Sequence, residues 1–173
     1  MGKFVHGQKH RQPVTVGVVL LIFNERHSMN RNLRWILIVA NAAAACGVLF
    51  FCNSRAEALP SDLSLPIAVE QQWIIGLLIL YGLNALASWR FRDSYPVAAA
   101  RMLIFAVAAF AVVSHATDIL SEHRALLPQV FAPPASPADA LLVSQLEARL
   151  AASAAMLTLC LTGIAVGFES KAE

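Results

Sequence analysis

The stretch SHATDILSEHR, residues 114–124, gathers five ionisable side chains at the end of a long apolar run: His115, Asp118, Glu122, His123 and Arg124. On a helix continuing through it, His115, Asp118 and Glu122 stand at i, i+3 and i+7 and share one face, while His123 and Arg124 point elsewhere. An imidazole and two carboxylates on one face are a donor set for a divalent cation, or a relay for protons. The ordinary alternative is a helix emerging into water, where Arg124 or Arg149 pairs with a carboxylate. Depth decides between the two. Counting about 20 residues from Val97 brings a spanning helix out at Ala116, so only His115 falls within the membrane boundary. The expectation is a satisfied interfacial cluster, with an ion or proton site as its alternative.

The membrane enters through composition. Of 173 residues, 58% are hydrophobic and 14% charged, and mean hydropathy is +0.62, whereas soluble domains are roughly 45–50% apolar and about 25% charged. A net charge of +2, without a clustered basic face, excludes nucleic acid as a partner. Cys46, Cys52 and Cys160 lie in or beside apolar stretches with no metal-binding spacing, and read as small buried hydrophobes, Cys52 nearest to water.

Four segments are apolar enough to span: residues 35–52, 73–89, 97–116 and 150–168. Backbone polar groups in hydrocarbon must be satisfied internally, so the fold class is all-α: a polytopic membrane protein of four transmembrane helices. Basic residues set its orientation. Lys3, Lys9, Arg11, Arg26, Arg31 and Arg34 precede the first span, and Arg90 and Arg92 lie between the second and third, with Arg101 just inside. The other two connections dilute their arginines with acids, so both termini face the cytoplasm and the expected site is a bacterial inner membrane. Trp35, Trp89 and Tyr95 fall near the inner boundary and Trp73 near the outer one. The domain reading is a cytoplasmic segment 1–34, a four-helix domain 35–168 and a tail 169–173.

PVTVGVVLLIF, residues 13–23, follows a basic start like a signal-peptide core, but it is too short to span and no small-residue cleavage site follows. It reads as an interfacial segment, and Met29 offers a natural beginning downstream. Ser54 and Ala56 after the first span form a cleavage-like pair, yet that span is longer than a signal core; an uncleaved helix is expected.

Water does not drive helices together in lipid, so small residues and scattered hydrogen bonds must. Ala40, Ala43, Ala44 and Gly47 share a face of the first span, and Gly163 and Gly167 form a GxxxG continued by Ala155 and Ala151. These read as packing seams. Asn41, Asn84, Thr158 and Thr162 are expected to make interhelical hydrogen bonds. The short RFRDSYP makes spans two and three antiparallel neighbours. Residues 53–70, with Pro60 and Pro66, read as an outer loop. Ser136, Pro137 and Asp139 read as the cap and first turn of a helix that runs unbroken into span four, its first third standing outside the membrane. Leu142, Val143, Leu146 and Leu150 make an apolar stripe on that part.

No phosphate-binding glycine loop, HExxH, G-x-S-x-G or pair of intramembrane histidines occurs, so neither catalysis nor a cofactor or metal is expected. The leading expectation is a non-catalytic membrane protein that binds another membrane protein, or itself, as an accessory subunit or an immunity-type protein. In size and topology alone the chain resembles immunity proteins of pore-forming bacteriocins. The second expectation is a small oligomeric ion or metabolite carrier with His115, Asp118 and Glu122 at its outer mouth. A membrane enzyme acting on lipid or quinone is the third.

Overall fold

The computed structural model describes residues 31–90, 95–130 and 136–169. The segment 13–23, Met29, most of the RFRDSYP connection, Pro133, Pro134 and residues 170–173 lie outside the described residues. Within them the protein is helical: α1 (Arg31–Ala58), α2 (Ser61–Arg90), α3 (Tyr95–Glu122), a single 3-10 turn (Leu127–Val130) and α4 (Pro137–Glu169). All four α-helices are long and apolar enough to cross a membrane. With 28, 30, 28 and 33 residues, they measure about 42–50 Å against about 30 Å of hydrocarbon. Each therefore carries a turn or more beyond its apolar stretch.

The outer surface fits lipid. Phe50 and Phe110 are 77% and 78% exposed, among many outward Leu, Ile, Val and Trp side chains, where a water-soluble bundle would present charge. The buried faces repeat every seven residues: Ile38, Ala45 and Cys52 on α1, with Leu59 just past its end; Ile67, Ile74 and Tyr81 on α2, with Glu70, Leu77 and Asn84 three places on; Ala98, Phe105, Val112 and Ile119 on α3. That period keeps one seam facing a neighbour, as in left-handed coiled-coil packing.

Residue 53 onward is not a loop. α1 runs on to Ala58, only Leu59 and Pro60 break the chain, and α2 starts at Ser61. The Pro60 carbonyl accepts from the Leu63 and Ser64 amides and so opens α2. Pro66 lies in the second turn, where its missing N–H frees only the carbonyl of Asp62, an exposed residue that water can serve. Prolines mislead here because the start of a helix tolerates them.

α4 begins as its sequence predicts. Ser136 Oγ accepts from the Asp139 amide at 3.1 Å, and the helix then runs unbroken for 33 residues. It packs against α1, α2 and α3, and α1 packs against α2. In its apolar stretch 44% of the residues are buried, against 17–22% in the other three helices. α2 and α3 run antiparallel, with Glu70 opposite His115 and Ser88 opposite Arg101, but their backbones do not pack closely. The short connection makes them consecutive, while α4 takes the place between them and leaves a slit.

Candidate functional site

Near the α1–α2 turn, where the apolar stretches of all four helices end, a polar layer crosses the bundle. Its centre is Glu70 on α2, 2% exposed. The heptad that buries Ile67, Ile74 and Leu77 carries Glu70 inward with them. Arg149 of α4 donates Nε–H to Glu70 Oε1 at 2.8 Å, and His115 Nε2 of α3 lies 3.2 Å from the same oxygen. The other carboxylate oxygen, Oε2, is buried with no hydrogen-bond partner among the described residues. From α1, Cys52 Sγ donates to the carbonyl of Ala148 at 3.5 Å, one residue before Arg149. Cys52 is fully buried rather than at water.

The layer has a more exposed outer rim. Arg149 Nη1 stands 3.6 Å from Glu122 Oε2, and His123 Nδ1 lies 3.8 Å from that oxygen and 3.0 Å from the Ile119 carbonyl. Arg55 of α1 reaches Ser144 at 3.2 Å and Glu147 at 3.4 Å, with its guanidinium 5.1 Å over the Phe51 ring. Gln145 Nε2 donates to the Leu63 carbonyl at 2.9 Å, which ties the start of α4 to the start of α2.

His115, Asp118 and Glu122 therefore part company. His115 turns inward to Glu70, Glu122 is 67% exposed beside Arg149, and Asp118 is exposed. Among the described residues no group of three His, Cys, Asp or Glu side chains is placed to hold a metal ion. Arg149 takes the role of cation, and Arg124 is exposed. Glu70 is the residue that sequence reasoning missed, because residues 53–70 read as loop; its signal was the seven-residue repeat running unbroken back through Ile67.

The small residues divide by helix. On α4, Gly163 seats α3 so closely that a Cβ there would meet the Phe105 ring at 2.5 Å, and Ala155 is buried. Gly167 is helical, one turn further on. On α1, Ala40, Ala44 and Gly47 face outward instead, and a Cβ on Gly47 would meet nothing within 4 Å. The buried face of α1 is made instead by Ile38, Ala45 and Cys52.

Asn84 bonds between helices, donating Nδ2–H to the Gly163 carbonyl at 3.0 Å. Asn41, Thr158 and Thr162 bond back to carbonyls of their own helices. Such bonds satisfy a polar group in lipid without needing a neighbour.

At the far end the slit between α2 and α3 is lined by Leu80, Leu83, Asn84, Ala87, Arg101, Ile104 and Phe105. Arg101 Nη2 donates to Ser88 Oγ across it at 3.1 Å. Along α2, Glu70 and Asn84 are 14 residues apart, about 21 Å, so slit and polar layer are separate features. No family model matches the chain, and no curated protein or solved structure is found to be similar to it.

Proposed function

We propose that this is a non-catalytic multi-pass protein of a bacterial inner membrane, both ends of its helical domain on the cytoplasmic side, that works by binding another membrane protein. The observation that carries this reading is the outward face of α1. Ala40, Ala43, Ala44 and Gly47 leave a smooth strip there, two small pairs four residues apart, on a surface otherwise built of bulky side chains such as Ile36, Val39 and Phe50. Small residues at this spacing let helix backbones approach closely in lipid. The chain does not spend this strip on its own packing. Its occupant is a transmembrane helix of a partner, in the manner of an accessory subunit or an immunity protein. The polar layer then serves as a lock holding α1 to α4 while the opposite face is engaged.

Photo-crosslinking from position 43, with position 107 on α3 as control, tests the reading in native membranes. A discrete heterologous adduct from position 43 that disappears in Ala44→Ile/Gly47→Ile, while the purified variant keeps its thermal midpoint, supports it. Equal adducts from both positions, adducts that survive the double substitution, or adducts to lipid alone overturn it.

A second reading has one observation in its favour: a carboxylate 2% exposed touches a histidine whose side chain is 43% exposed, and ionisable groups at membrane depth often mark ion or proton paths. Here the carrier's site is Glu70 with His115, while Asp118 and Glu122 stand outside it. Proton flux into liposomes that falls at least tenfold in Glu70→Gln supports a carrier; flux equal to protein-free liposomes removes it.

A further inference from the structure

We propose that the slit between α2 and α3 holds one anionic phospholipid, its phosphate on Arg101 and Ser88 and an acyl chain along Leu83 and Ile104. Four observations converge on this occupant. The slit is real space: α4 takes up the close packing of both helices, and a groove of about 210 Å³ stays open to the outside of the bundle. It is too small to enclose a substrate, since drug-sized ligands occupy roughly 300–1,000 Å³, but it is open along its side, so the first part of an acyl chain can lie against it while the rest stays among the surrounding lipid. Its walls are apolar, with Leu83 59% and Ile104 50% exposed and Phe105 forming the floor.

Its depth is set by Trp89. That side chain is 65% exposed, and tryptophan in such a position sits at headgroup level. Ser88 is its neighbour in the chain, so the Arg101–Ser88 bond lies at the same level. From Ser88 to Leu80 the slit then descends about 12 Å into hydrocarbon. Charge points to the same class of ligand. A guanidinium carries five N–H donors and serves several acceptors together, and phosphate takes such donors in parallel pairs. Cationic pockets between transmembrane helices at this level suit anionic headgroups. A zwitterionic lipid offers the same chain and phosphate but sets a positive charge beside Arg101.

The proposal rests on the helices lying in a bilayer and not on the α1 strip, so each can fail without the other. The test uses the full chain in lipid-free detergent, with dioleoyl phosphatidylglycerol, dioleoyl phosphatidylcholine or sodium phosphate added. The thermal midpoint is followed, and retained lipid is counted by native mass spectrometry. Phosphatidylglycerol is expected to raise the midpoint by about 3 °C or more, with one lipid retained, and the other two by less than about 1 °C. Arg101→Gln removes the headgroup contact and Ala87→Phe fills the slit, and each is expected to abolish the selective rise. Should Arg101→Gln fail to fold, Ala87→Phe decides. An equal rise with phosphatidylcholine, a rise with phosphate alone, no rise at all, or a full rise retained in Ala87→Phe overturns the proposal.

Discussion

Burying a carboxylate among four helices is costly unless polar partners meet it, and Glu70 is met by the Arg149 guanidinium from α4 and the His115 ring from α3. The two contacts differ in weight. The Arg149 side chain is 12% exposed and the His115 side chain 43%, so the arginine bond is the less screened by water. Removing one member of a buried pair leaves the other charged and unpaired, which typically costs about 3–5 kcal/mol, whereas replacing both by apolar residues is close to neutral. Glu70→Leu is accordingly expected to lose about 3 kcal/mol or more in reversible unfolding titrations in mixed micelles. Glu70→Leu/Arg149→Met should recover most of that loss, and His115→Ala should cost about 1 kcal/mol. A double substitution as unstable as the single one would contradict the pairing. The SHATDILSEHR cluster was visible in the sequence as an interfacial group, but its true centre was not. Charge, Pro60 and Pro66 together imitate a loop, and only the register of Ile67, Ile74 and Tyr81 contradicts them.

Among the elements, α1 and α4 use small residues in opposite ways. Gly163 lies under the ring of Phe105, which is itself buried, so Gly163→Ala must push an aromatic side chain or separate α3 from α4. A loss of about 1–3 kcal/mol is expected, the usual cost of overpacking. Gly47→Ala meets open space, so the isolated chain should keep its midpoint or gain slightly from better helix propensity. Thermal melts of the two variants side by side check the contrast; equal losses would mean that the α1 face is packed after all. The sequence could not separate these glycines, because a spacing of four records a face and not what that face meets. The seven-residue repeat, which only the burial pattern brings out, marks the packed faces instead. It joins residues as unlike as Ile38, Ala45, Cys52 and Leu59, whose chemistry hides their shared seam.

At the scale of the whole molecule, four helices and the unbroken Pro137–Glu169 rod were legible, because length and hydropathy over 20 residues are strong signals. The arrangement was not. Chain connectivity suggests α2 beside α3, yet α4 takes the close contacts of both, and neither local pattern nor loop length encodes that choice. Contact of α4 with all three helices that precede it bears on how this protein is made. During synthesis α1 and α2 can close as a hairpin as soon as both have left the ribosome. α3 then enters the bilayer with no closely packed neighbour and must wait, surrounded by lipid, until α4 emerges. Closure of these four helices thus waits for α4, and a ribosome stalled before Pro137 would release a hairpin and a stray helix.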